Sequence, residues 1–159
     1  VINRCIPGTK LQLWTKIVPS MIEEEKPTCI IIHCGTNNIQ NCLTNECLSL
    51  YQELIASIRS VSPVHIAVSS LTIQKHSGRQ IWINEFNMRL RELCDFYSMS
   101  YICNDNITVK EIAKEDKYIL HLSRRGTSLL AQNYIEFLRG SSIQNLDFYI
   151  HKDLSLIHI

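Results

Sequence analysis

The chain has 159 residues, 45% of them hydrophobic and 19% charged, which is the composition of one ordinary globular domain with room for a sizeable core. Against 15 acidic residues stand 16 basic ones, and a formal net charge of +1 gives no general reason to expect nucleic acid as a partner. No run reaches the ~18 apolar residues of a membrane helix and no signal peptide is visible, so an intracellular, cytoplasmic location is expected.

The chain opens on Val1, in mid-pattern rather than on Met, and reads as a fragment. Residues 10–24, KLQLWTKIVPSMIEE, set Leu11, Leu13, Trp14, Ile17, Val18 and Met21 at roughly helical spacing. Pro19 is expected to kink or shorten that helix, because it has no N–H to donate and its ring crowds the preceding turn. Residues 28–34 read as a buried strand. Residues 45–60 carry a helical stripe of Leu48, Tyr51, Leu54, Ile55 and Ile58, with Thr44 and Asn45 as expected N-caps.

Pro63 then breaks the chain, and residues 64–70, VHIAVSS, read as a second strand. Residues 74–79 read as a polar loop containing Gly78 and a solvated His76. Trp82, Phe86, Leu90, Leu93 and Tyr97 mark an amphipathic helix over residues 80–97, and residues 100–103 form a short third strand. A last helix over residues 125–139 gathers Leu129, Leu130, Tyr134, Phe137 and Leu138 on one side, with Arg124 and Arg125 as its solvated start. Strands separated by long helices cannot pair as hairpins, so the expected fold is α/β: three αβα layers around a parallel sheet. Residues 141–159 fit this pattern poorly; they form either an edge strand or an extension unrelated to a domain spanning residues 1–140.

Seven cysteines make an odd count, and Cys29, Cys34 and Cys103 in or beside strand-like runs suit a reducing compartment. Cys42 and Cys47, with His33 and Cys34 nearby, lack CxxC or HxxxH spacing, so no metal is expected. Neither GxGxxG nor GxxxxGK[ST] occurs, which argues against a nucleotide site.

In open parallel sheets the ligand crevice lies beyond the carboxyl ends of the strands. Three polar groups fall there: Gly35-Thr36-Asn37-Asn38, Ser69-Ser70, and the approach to the last helix around His121. Asn37 and Asn38 are either an Asx-turn or, through the Asn37 amide and a backbone N–H near Gly8, donors converging on an oxyanion. His121, flanked by Leu120 and Leu122, is either a packed histidine or a general base. His33 and His65 read as core or face residues.

Four motifs in order, Ile-Pro-Gly-Thr at residues 6–9, His-Cys-Gly-Thr-Asn-Asn at 33–38, Val-Ser-Ser-Leu at 68–71 and His-Leu-Ser-Arg-Arg-Gly-Thr at 121–127, make residues 1–140 resemble the SGNH hydrolase (GDSL esterase) superfamily. The flavour is similar to the esterase-like domain in open reading frames of LINE-type retrotransposons. That resemblance implies a doubly wound α/β fold and carboxyl ester hydrolysis without a cofactor, the substrate being an ester-bearing small molecule or lipid. It further implies Gly8 and Asn37 as oxyanion donors, Gly35 and Asn38 as supporting residues, and His121 as base, in a Ser-His-Asp logic.

Two departures weigh against catalysis. No Gly-Asp-Ser occurs, so the nucleophile and the first, central strand that bears it are expected to be missing. Tyr118 stands three residues before His121, where the family has aspartate, leaving Tyr118 and Asp116 as weak orienters with Glu115 next to them. Asn38 also takes the place of an aspartate. The expectation is a hydrolase fold inactive as this fragment, with a non-catalytic binding or scaffold module of a mobile-element-derived protein as the alternative.

Overall fold

A computed structural model describes residues 2–4, 6, 8–39, 41–72, 77–113, 121–140 and 156–158. Five strands form one sheet: β1 (Ile2–Asn3), β2 (Cys29–Ile32), β3 (His65–Ser69), β4 (Ser100–Ile102) and β5 (Leu156–His158), in the spatial order β1-β5-β2-β3-β4. Every pairing is parallel, with Ile30 opposite Ile66 and Ile32 opposite Val68 at the centre. The helices are α1 (Leu11–Glu25), α2 (Thr36–Ile39), α3 (Thr44–Val61), α4 (Ser77–Phe96) and α5 (Arg124–Gly140).

Alternation along β2 explains its unbroken apolar run. Ile30 and Ile32 join a large core with Leu11, Trp14, Val18 and Ile22 of α1, Tyr51 and Leu54 of α3, and Phe86 and Leu90 of α4. Cys29 and Ile31 face the other way, with Ala67 and Ile102, onto Tyr134, Phe137 and Leu138 of α5. A strand covered on both faces has no position where a polar side chain reaches water. The result is the expected three-layer αβα arrangement, α1, α3 and α4 on one face and α5 on the other.

Several local expectations are corrected. Pro19 does not shorten α1, which runs on to Glu25. Val18 and Ile22, buried on either side of it, hold the helix against the sheet strongly enough to outweigh the lost hydrogen bond. Replacing Pro19 by alanine should therefore raise stability by about 1–2 kcal/mol, read as a higher urea midpoint, because the missing N–H returns. Neither Thr44 nor Asn45 caps α3; Leu43 holds the cap position and its N–H donates to Glu46 Oε2 at 3.1 Å. Residues 77–79, expected in a loop, already belong to α4. His76 lies outside the described residues.

The tail expected at an edge, or outside the domain, supplies β5 in the interior of the sheet. Residues 156–158 pair with β1 on one side and β2 on the other, filling the place where a strand was expected to be missing. Both edges of an apolar central strand need ladder partners, and a short extended segment satisfies the open one. Residues 141–155 lie outside the described part.

Candidate functional site

The chain leaves β2 through His33 and Cys34 and turns at Gly35, whose φ of +112° belongs to glycine. A Cβ there would also stand 3.3 Å from Cε2 of Tyr51, whose hydroxyl donates to the Cys34 carbonyl. Burial pushes the Cys34 thiol up to about 12, so it stays protonated and is no nucleophile at neutral pH.

This turn launches α2 and separates its two amides. Asn38 is fully buried; its Oδ1 accepts from the Leu11 N–H at 2.9 Å and its Nδ2 donates to Gln12 Oε1 at 3.0 Å. Lys10, at the N-cap position of α1, supplies no side-chain cap, so Asn38 caps that helix from another element. Asn37 donates through Nδ2 to the Thr9 carbonyl at 3.0 Å. Thr9 is itself held: its hydroxyl donates to Ile6 O at 2.8 Å and accepts from Trp14 Nε1 at 3.1 Å. Gly8 beside it is exposed, with φ of +75°. The Gly8 turn and Asn37 therefore meet, and an amide nitrogen with one hydrogen engaged still has a second to donate.

His121 is placed by a separate set of contacts. A 3₁₀ turn over Val109–Glu111 leads into a short antiparallel bridge between Ile112 and Leu122. There the Ala113 N–H donates to His121 O at 2.9 Å and the Ser123 N–H to Glu111 O at 2.7 Å. The bridge leaves the residue exposed at the start of α5. Further along that helix the Tyr134 ring meets His33 edge-on at 6.4 Å, beyond β2, and Phe137 stacks on His65 at 6.3 Å, at the start of β3. α5 thus runs against the strands, and His121 stands on the same carboxyl side of the sheet as Asn37.

Glu111 is a buried carboxylate that sequence reading missed. Hydrogen bonds from the Thr108 hydroxyl (2.6 Å) and N–H (2.9 Å) hold its carboxyl below the usual value, with Arg125 Nε at 3.5 Å as a weaker influence. The spacing Thr108-x-x-Glu111 is a capping box and was the available signal. Gly126 packs against this turn: a Cβ would lie 2.6 Å from Glu111 O and 3.1 Å from Leu122 Cβ. Gly126→Ala should cost about 2 kcal/mol in denaturant unfolding and speed hydrogen exchange at Ala113, the amide that holds His121. Tyr118, Asp116 and Glu115 lie outside the described residues. Among the described residues no three His, Cys, Asp or Glu side chains converge as a metal site requires.

No protein-family model matches the chain, and no curated protein matches it in sequence. Its fold does match solved structures. A GDSL-like lipase of Bacteroides thetaiotaomicron superposes with a TM-score of 0.69 at 11% identity, over 87% of this chain and 75% of that one. A member of the lipolytic G-D-S-L family from Veillonella parvula also gives 0.69, at 17% identity over 84% and 76%. The esterase domain of the ORF1 protein of the zebrafish ZfL2-1 retrotransposon gives 0.54 at 24% identity, over 85% and 83%.

Proposed function

We propose that this chain, which has the fold of the SGNH or GDSL-type hydrolases, is a carboxyl ester hydrolase-type domain. In this reading His121 is the general base and the Gly8 N–H and Asn37 amide are the oxyanion donors. The single observation that supports it is the Asn37–Thr9 hydrogen bond, which draws the Gly8 turn and the Asn37 amide to one place. Two donors converging at the carboxyl side of a parallel sheet suit the oxyanion of an ester's tetrahedral intermediate. A base in reach would take the proton of an attacking hydroxyl and return it to the leaving group. The substrate class is an ester-bearing small molecule or lipid.

The chain holds no Gly-Asp-Ser, Ser69 and Ser70 are fully buried, and Cys34 stays a thiol. These residues alone therefore carry the binding half of the chemistry and lack the attacking group. A second reading, a non-catalytic binding or scaffold module of a mobile-element-derived protein, draws on Tyr118 in the orienting position and on the likeness to a retrotransposon ORF1 domain. Among the described residues no helix is long and apolar enough to cross a membrane.

A fluorophosphonate probe and a nitrophenyl ester separate these readings. The 159-residue protein should neither label nor hydrolyse, whereas a form carrying a Gly-Asp-Ser strand ahead of Val1, with residues 156–158 removed, should label at that serine and turn over ester. Labelling of any serine in the 159-residue protein would overturn its inactivity. A folded extended form that stays unlabelled would leave the scaffold reading in its place.

A further inference from the structure

Three buried polar side chains, Ser69, Asn104 and Asn133, have no part in the chemistry above, yet they form one hydrogen-bonded chain across the carboxyl side of the sheet. Asn104, just beyond β4, uses both amide hydrogens, one to Ser69 Oγ at 2.7 Å and one to the Ser70 carbonyl at 2.6 Å. Its backbone N–H donates to Ser70 Oγ at 2.9 Å, and its Oδ1 accepts from Asn133 Nδ2 of α5 at 2.9 Å. Asn133 gives its other hydrogen to Asn106 Oδ1 at 2.9 Å and accepts from Asn106 Nδ2 at 2.8 Å. A carbonyl oxygen only accepts, so Ser70 O settles which way the Asn104 amide points, and Asn104 Oδ1 then settles Asn133. Ser69 Oγ also lies 3.0 Å from His33 Nδ1 and shares a hydrogen bond with the Tyr134 hydroxyl.

This chain joins two halves of the crevice. His33 follows β2 and leads through Gly35 to Asn37, while Asn133 and Tyr134 belong to the helix whose start follows His121. The apolar contact of Phe137 and Leu138 with Cys29, Ile31 and Ala67 gives α5 attraction without direction, so it resists sliding weakly. Paired amides in a buried setting are directional, and each orphaned group is expensive there. We propose that Asn104 is a positioning residue: it sets α5, and the His121 segment joined to its start, against the strand ends that lead to Asn37. This rests on the reading of His121 and Asn37 as base and oxyanion donor, for which a misplacement of about 1 Å would cost ~10²-fold in rate.

The test uses the 159-residue protein and reads geometry rather than turnover, so a failed ester assay and a failed positioning role remain distinguishable. In N104A the His121 ring resonances should move, and the Gly126 and Thr127 amides in the first turn of α5 should exchange about tenfold faster, the factor that ~1.4 kcal/mol produces. Leu90→Ala, buried in the opposite layer on α4, should lower the melting temperature and leave both signals near wild type. If N104A leaves His121 unmoved, or Leu90→Ala moves it equally, the role is overturned. N104D supplies a second readout. An ionised carboxylate cannot donate to Ser70 O, whereas the protonated acid can, so its folded pKa should be raised. Wild-type-like His121 signals, compared at equal pH, should then be present at low pH and lost as pH rises through that value. A departure from wild type that does not change with pH would overturn the proposal even if N104A failed to fold.

Discussion

Replacing His121 by alanine in a form of the domain that carries a Gly-Asp-Ser strand should cut ester hydrolysis by roughly 10⁴-fold or more, with the fold intact. The size follows from the proposed role as base. Without it the serine hydroxyl must attack with its proton in place, and the leaving group departs without an acid to receive its charge. Stability should change little, within about 0.5 kcal/mol, because the His121 side chain is exposed, and the backbone hydrogen bonds at Ala113 and Ser123 that hold the segment survive the substitution. kcat is expected to carry most of the loss, since in the proposed reading the Gly8 turn and Asn37 would still receive the carbonyl. A fall of less than tenfold, at unchanged melting temperature, would remove His121 from the mechanism.

Asn38→Leu should lower the unfolding free energy by about 3 kcal/mol, whereas Asn38→Asp should cost far less. Leucine is close in volume, but it leaves the Leu11 N–H buried without an acceptor and removes the donor that Gln12 Oε1 accepts from. Aspartate keeps the acceptor, and its negative charge sits at the N-terminus of α1, where the helix dipole favours it. The Gln12 amide can turn its NH2 toward the second carboxylate oxygen. Urea midpoints of the two variants would decide it; equal losses would mean that Asn38 is held by shape alone. The contrast also gives a physical reason why an amide can stand where the resemblance has an acid: capping α1 needs an acceptor, which both side chains supply.

The fold was legible because its signals are local and repeated. Five isoleucine or valine positions in β2 and β3, and the spaced pair Phe86 and Leu90 of α4, report burial from local pattern, whereas Trp82 on the same stripe is exposed. Boundaries were less legible. Pro19 has a strong local preference against helix, and only the sheet beneath Val18 and Ile22 outweighs it. The likeness to GDSL-type structures agrees with the motif order, but at 24% identity or less it speaks for the fold and leaves the residue roles to experiment.

By itself the sequence determined the class of the fold, the parallel sense of the sheet, and the short list of polar groups at its carboxyl side. Each of these depends on period, spacing or order, which the chain carries in one dimension. Tertiary structure alone decided that Asn37 turns to the Gly8 segment while its neighbour Asn38 turns inward to cap α1. It alone brought Asn104 between Ser69 and Asn133, residues 35 and 29 positions away. It also put residues 156–158 between β1 and β2. Hydrogen-bond partners of buried polar groups are chosen by which donors and acceptors arrive at the same point when the layers close, and no spacing along the chain encodes that meeting.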